Sequence, residues 1–319
     1  MEKIKIAVVG NGNLGRCVAE QAKEREEFEL VGVFSRRDCA GCLPYKSLPK
    51  YKGKIDVVLM CAGSSDDAPK MTPEILRNFS TVDSFDTHAL LHKYIKKATT
   101  STTKSGTTAI ISTGWDPGLF SVIRIYLSAC LTRSKTDKTH PLSGALTQTF
   151  WGKGVSMGHS NAVRNIDGVI DAIQFTVPVD AAVELCKKGE FVPDEKKHRR
   201  VVYLVARHKD QKRIEKEIRT MPNYFEPYET EVNFIEKEEF DAKFKGRLEH
   251  AGLVVACDEN SSAEFKLKLK SNPYFTATIM LAYAIANYKL QSEGTSGIYT
   301  VADIAPKYLQ LTDDSLKKV

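Results

Sequence analysis

Ile4, Ile6, Ala7, Val8 and Val9 make a near-continuous apolar run, the pattern of a parallel strand covered on both faces. Gly10-Asn11-Gly12-Asn13-Leu14-Gly15 interrupts it, and Leu14, Cys17 and Val18 then recur at helical spacing. Strand, tight turn and helix follow in that order. Further strands are predicted over residues 28–34, 55–65 and 80–88, another runs from 109 into the polar, glycine-rich end at 112–118 where Pro117 stops it, and a helix is predicted over 68–78. A helix over 120–132 leaves this unit. The pattern then changes to short β-rich runs at 146–151, 172–177, 201–206, 229–235, 253–257 and 264–269, with helices over 179–188 and 210–221. A long apolar helix follows Pro273 over 275–290, its stripe read as core. The first part reads as α/β with a parallel sheet, the second as α+β with a mixed, largely antiparallel sheet.

Gly10, Gly12 and Gly15 form G-x-G-x-x-G. In a dinucleotide site the first glycine makes the turn, the second admits a pyrophosphate, and the third lets helix and strand pack closely. Asn11, Asn13 and Leu14 fall in the same turn, where the helix N-terminus faces the phosphates. Such a turn also occurs without a ligand; its place after a strand at the N-terminus favours the dinucleotide. The second strand ends in Ser35-Arg36-Arg37, about where an NAD-binding unit carries an acid for the ribose hydroxyls. A hydroxyl and two guanidinium groups instead suit a 2′-phosphate, so NADP(H) is expected; the plainer alternative is two solvated loop charges. Cys61, Ala62, Gly63 and Ser64 close the third strand with small residues over which a cofactor can lie. Ser84-Phe85-Asp86 and Thr113-Gly114-Trp115-Asp116-Pro117 complete the cofactor edge. Asp86 and Asp116 there could hold an ammonium group and relay protons, or could simply cap the following helices.

A chain of 319 residues suggests two domains. No apolar run is long enough for a bilayer and no signal pattern opens the chain, so a cytoplasmic protein without a membrane partner is expected. The net charge of +6 suits an anionic cofactor and substrate but is no nucleic-acid footprint. Seven cysteines point to reduced thiols rather than a disulfide framework. Cys39-Ala40-Gly41-Cys42 is a lone C-x-x-C with no second pair, and neither metal nor redox chemistry is expected there.

The chain resembles the meso-diaminopimelate D-dehydrogenase family. The likeness is carried by Val9 to Arg16, by Val31-Gly32-Val33-Phe34-Ser35-Arg36-Arg37, and by Ser112-Thr113-Gly114-Trp115-Asp116-Pro117-Gly118. It continues through Thr149-Phe150-Trp151-Gly152, Gly158-His159-Ser160 and Ile218-Arg219-Thr220-Met221-Pro222, nearly end to end. The resemblance implies a Rossmann-type NADP-binding domain over residues 1–118 plus about 292–319, and a substrate-binding and dimerisation domain over 119–291. It implies a homodimer that oxidises the D-centre of meso-2,6-diaminopimelate to L-2-amino-6-oxopimelate and ammonia, or runs the reductive amination in lysine and peptidoglycan biosynthesis. Asp86 and Asp116 would be catalytic. Trp115 and Trp151 would shape the substrate pocket, with Met157 and Gly158 beside it in a flexible glycine loop. Many members carry Gln where this chain has Met157, which leaves backbone contacts there. Thr176, Arg200 and His250 match the ligands of the distal carboxylate, and Asn272 the contact to the L-centre. Arg199 competes with Arg200, His159 could be structural, and the general base stays open. Without the resemblance, these residues read as core, surface or capping positions. A reductase of another small keto acid or aldehyde, which needs no ammonia, and a non-enzymatic NADPH sensor are the alternatives.

Overall fold

The computed structural model describes residues 2–63, 67–86, 88–131, 146–222 and 224–310. The chain divides into two compact units, residues 1–122 with 273–319, and residues 123–272.

In the first unit, β1 (Ile4–Val9), β2 (Phe28–Ser35), β3 (Leu43–Pro44), β4 (Val57–Met60), β5 (Ser80–Asp83) and β6 (Thr108–Ile111) join the strand Gly297–Thr300 in one sheet. Every pairing is parallel, and the order is β3-β2-β1-β4-β5-β6 followed by Gly297–Thr300. The chain builds outward from β1 to β3, then returns to the other side of β1, which leaves a crevice at the carboxyl ends of β1 and β4. Alternate residues of β1 feed opposite faces, as strand geometry requires. Ile4, Ile6 and Val8 pack with Val18 and Ala22 of the helix Asn13–Glu24 and with Met280 and Ala284 of the helix Asn272–Ser292. Ala7 and Val9 pack with Met71 of the helix Ala68–Ile75 and with Tyr94 and Ala98 of the helix His88–Ser105. The strand expected over 80–88 stops at Asp83, so Asp86 lies in the loop that leads to the next helix.

The helix Asn272–Ser292 corrects the expected division at residue 291: from Pro273 onward it belongs to the first unit. Its apolar stripe alone did not say which sheet it covers. Asn287 does: fully buried, its Nδ2 donates to the Thr81 carbonyl at 2.9 Å and the Thr108 carbonyl at 3.2 Å, tying the helix to the starts of β5 and β6.

The second unit contains two sheets rather than the single one expected. Its strands are β7 (Thr147–Trp151), β8 (Gly154–Val155), β9 (Val169–Pro178), β10 (His198–Ala206), β11 (Glu229–Phe234), β12 (His250–Cys257) and β13 (Ser262–Leu269). One sheet runs β11-β10-β9-β8, antiparallel except for the β10–β11 pair; the other is the antiparallel set β13-β12-β7. The chain changes sheets at Gly152, whose φ is +111° and where a Cβ would come within 2.1 Å of the Thr176 carbonyl oxygen. Only glycine permits that approach. β10 begins three residues before the apolar run at 201, because His198, Arg199 and Arg200 are polar residues in a strand.

Cys39 and Cys42 form a disulfide, which corrects the expectation of reduced thiols. The turn between them holds their Cα atoms 5.4 Å apart, within bridging range. The other five cysteines are free.

Asn287→Ala leaves the Thr81 and Thr108 carbonyls buried without the amide. A loss of about 2 kcal/mol of stability is expected, read from urea unfolding of the variant against the wild type.

Candidate functional site

A cleft of about 350 Å³ lies at the carboxyl ends of β1, β2 and β4. Gly10, Asn11, Gly12, Ser35, Arg36, Arg37, Cys61, Ala62 and Gly63 all line it. Each glycine has its own physical reason. Gly10 turns at φ +110°, where a Cβ would sit 2.7 Å from the backbone of Cys61 and Ala62. A Cβ on Gly15 would meet the Gly10 carbonyl oxygen at 2.0 Å, so the helix can pack against the strand only without one. Beside Gly12 nothing lies within 4 Å, so the space at the helix N-terminus stays open. This cradle fits a pyrophosphate. Behind the cleft wall, Leu14 packs on the core and Asn13 accepts a hydrogen bond from Arg16 at 2.7 Å. Ser64 lies outside the described residues.

Asp67 and Tyr45 also line the cleft and were not anticipated. Asp67 precedes the helix Ala68–Ile75, but its carboxylate makes no cap. It reaches Arg36 instead, at 2.5 Å. Its only sequence signal was its place just beyond the small-residue end of β4. Tyr45, in the 3₁₀ turn Tyr45–Tyr51, presents a half-buried ring whose hydroxyl is pushed up by burial.

The remaining residues of the expected cofactor edge follow β5 and β6 and do not line this cleft. Their geometry turns on Asp83, a residue without a distinguishing sequence signal. Asp83 is fully buried. Its carboxylate accepts from the Tyr94 hydroxyl, from the Phe85 amide at 3.0 Å and from the Ser112 amide at 3.2 Å. Its carbonyl accepts both the amide and the hydroxyl of Thr113 at 2.9 Å. Burial raises the Asp83 carboxyl above its usual range, against the pull of the three donors. Phe85 and Thr113 are buried and brace the edge. Between them the loops carry an exposed Asp86 and a half-buried Asp116. The Gly114–Gly118 loop closes tightly: a Cβ on Gly118 would lie 1.7 Å from the Gly114 carbonyl oxygen. Trp115 is pinned edge-to-face on Phe120 at 5.1 Å.

In the second unit Thr176 and Arg200 face each other across β9 and β10, and the Arg200 Nη1 donates to the Thr176 hydroxyl at 2.7 Å. Arg200 is buried, whereas Arg199, on the opposite face, is exposed. The guanidinium stacks 4.1 Å above the Tyr228 ring, another residue not anticipated. Its Nε has no partner, and no acidic side chain among the described residues pairs with it. Burial lowers its pKa. His250 lies beside the same strip: a Cβ on Gly154, which pairs with Thr176, would be 2.4 Å from the His250 Cα. Burial also lowers the His250 pKa.

Trp151 ends β7, and its amide donates to His198 Nε2 at 2.8 Å while the two rings stack at 5.3 Å. The flexible loop expected around Met157 and Gly158 is ordered structure. Gly154–Val155 is strand, Met157–Arg164 is helix, and the Ser156 hydroxyl holds His159 Nδ1 at 2.7 Å. The Met157 side chain packs on the cluster of Val155 and Phe175, leaving its backbone and that of exposed Gly158 in the first helical turn. His159 is driven to about 4 by burial first and by the Arg200 charge second. Asn272 opens its helix, its amide donating to the Leu248 carbonyl at 2.9 Å.

A parallel sheet of this order, with a glycine cradle and a basic edge, defines a dinucleotide-binding protein. The family model for the diaminopimelic acid dehydrogenase C-terminal domain matches residues 114–271. The meso-diaminopimelate D-dehydrogenase of Acetivibrio thermocellus is 41% identical, over 97% of this chain and 95% of its own. That of Corynebacterium glutamicum is 37% identical, over 97% and 96%. The solved structure of the C. glutamicum DAP dehydrogenase in complex with DAP aligns with a TM-score of 0.92 at 36% identity, covering 100% of this chain and 99% of that one. An engineered D-amino acid dehydrogenase bound to NADP+ aligns with a TM-score of 0.86 at 35% identity, covering 99% of each chain. The chain belongs to the meso-diaminopimelate D-dehydrogenase family.

His198 carries a pH dependence. Burial, then the charges of Arg200 and Lys197, push it down to about 4. Above pH 6.5 the ring is neutral folded and unfolded, and its contribution is complete. Below 6.5 only the unfolded chain takes the proton, so stability falls until about pH 4, by roughly 3 kcal/mol. His198→Gln should flatten the stability-against-pH curve in that window; an unchanged slope would remove His198 as its source.

Proposed function

We infer that this chain catalyses NADP-dependent oxidative deamination of the D-centre of meso-2,6-diaminopimelate, giving L-2-amino-6-oxopimelate and ammonia, and the reverse reductive amination. The observation that carries this reading is Arg200. A buried guanidinium with an unpartnered Nε and no carboxylate beside it among the described residues costs stability unless an anion arrives. A substrate with a second, distal carboxylate supplies that anion.

The residues divide the work. The Gly10–Gly15 turn receives the pyrophosphate, and Ser35, Arg36 and Arg37 the 2′-phosphate. When bound there, NADP+ supplies the hydride acceptor for the D-centre carbon. Asp86 and Asp116 attract the D-ammonium and serve proton transfer as the resulting imine takes up water and releases ammonia. Trp115 and Trp151 offer ring faces to the aliphatic middle of the substrate. Thr176, Arg200 and His250 grip the distal carboxylate, Asn272 binds at the L-centre, and Met157 and Gly158 contribute backbone groups. We extend the reading to a cytoplasmic homodimer. It is supported by the absence, among the described residues, of a helix able to cross a membrane, and by Ile125 and Tyr126, both about half exposed on the helix Leu119–Cys130.

The test follows absorbance at 340 nm with NADP+ and the meso isomer, beside the L,L isomer. Turnover with meso alone, with ammonia released, is expected. No turnover in protein that binds NADPH would leave a keto-acid or aldehyde reductase as the reading. Arg200→Met should raise the KM for meso-diaminopimelate by about 100-fold, with the NADPH Kd unchanged. Equal loss of both in a folded variant would remove Arg200 from the substrate site.

A further inference from the structure

Cys39 and Cys42 lie immediately after the residues assigned to the 2′-phosphate. Residues 35–39 line the cofactor cleft. The same residues, with Cys42, Leu43, Pro44, Tyr45 and Lys46, line a second recess of about 480 Å³. The loop that carries Arg36 and Arg37 is therefore open on both sides, and core packing does little to hold it. Its fixed points are few. The Arg37 amide donates to the Ser35 hydroxyl at 3.1 Å, Arg36 pairs with Asp67 across the cleft, and the Cys39–Cys42 disulfide closes the far end. Between the cysteines the chain makes one turn, the Cys42 amide donating to the Cys39 carbonyl at 3.1 Å with Gly41 at φ +74°. That is the glycine position of a type II turn. The turn therefore has a backbone hydrogen bond independent of the sulfurs, so the loop can open and reclose the disulfide without unfolding. Both cysteines are partly exposed, and Asp38, Ala40 and Gly41 beside them are exposed, so a thiol can reach them. Burial pushes the Cys61 and Cys186 thiols up, away from the reactive thiolate.

We propose that Cys39 and Cys42 are a reversible thiol–disulfide modification site that sets the affinity of the 2′-phosphate loop. The inference rests on the assignment of NADP(H) to this cleft. With the disulfide closed, Arg36 and Arg37 are preorganised and less ordering accompanies binding. An external dithiol opens it in two steps. One of its thiolates attacks a cysteine sulfur, giving a mixed disulfide and a cysteine thiolate that takes up a proton. Its second thiol then displaces the other cysteine as a thiol and leaves as the oxidised disulfide. Two electrons and two protons pass to the cysteine pair.

The test titrates NADPH by its fluorescence into the protein before and after dithiothreitol treatment and removal, with thiols counted after denaturation. Five thiols should be counted in the oxidised protein and seven in the reduced one. The NADPH Kd should rise about fivefold on reduction and recover on reoxidation with glutathione disulfide. NADH, which has no 2′-phosphate, should bind equally in both states. The double variant C39S/C42S should bind NADPH like the reduced wild type and ignore dithiothreitol. Equal NADPH affinity in the two states would overturn the proposal. So would seven thiols that persist in glutathione disulfide, or a dithiothreitol response that survives in C39S/C42S. Failure to bind NADPH in either state would instead overturn the cofactor assignment, and the proposal with it.

Discussion

The Asp83 carboxylate is fully buried at the end of β5, and the chemistry of the first unit depends on it. Three donors converge on it, from Tyr94, Phe85 and Ser112, and its own carbonyl takes both polar hydrogens of Thr113. The ends of β5 and β6 are thus fastened to one another beyond the last strand pairing. Ser112 sits at φ +58°, which a residue with a Cβ adopts at a cost. The hydrogen bond from its amide to Asp83 offsets that cost. The result is a rigid base from which the loops bearing Asp86 and the Trp115–Asp116 turn depart. A buried carboxylate of this kind is costly alone and tolerable only when well supplied with donors.

The cofactor cleft follows a different rule, in which missing side chains matter most. At Gly10 and Gly15 a Cβ would collide with backbone, whereas at Gly12 it would project into open space. The first two are needed by the protein and the third by the ligand. Charge then selects the ligand. The Arg36–Asp67 pair joins the β2 side of the cleft to the segment beyond β4. A 2′-phosphate arriving at Arg36 meets a guanidinium already held by a carboxylate, so its gain is the difference between two charge-assisted interactions.

The parallel sheet and the glycine turn that opens its cleft were legible because they are local. An apolar run, a glycine turn and the charged end of a strand are all contained in a few consecutive positions. Arg200 could be named only through the family resemblance, since polar residues at the start of β10 blur the strand signal. What escaped was fixed at long range. Asn287 is buried by partners 206 and 179 positions away, and nothing in its own helix marks it as the tie to β5 and β6. The second unit divides into two sheets because the chain crosses at Gly152, a contact with Thr176 that no periodicity reveals. Tyr228 and Asp67 were missed for the same reason. The disulfide ran against the compositional prior because seven cysteines describe the whole chain, whereas one turn decides the pair.

On the proposed reading, specificity rests on an imbalance left in the second unit. Arg200 is held by Thr176 and Tyr228, one a neutral acceptor and the other a ring face, and neither neutralises its charge. His159 and His198 are pushed down to about 4 by burial first and by that charge second, so above that pH neither adds a second cation beside it. A ligand lacking a distal carboxylate would bury this cation still further without pairing it. A site of this kind rejects by its unmet donors more strongly than it could by shape, because the penalty falls on every ligand that fails to supply the anion. On that reading, the stability that the folded chain gives up at Arg200 is recovered by a ligand that brings the second charged end.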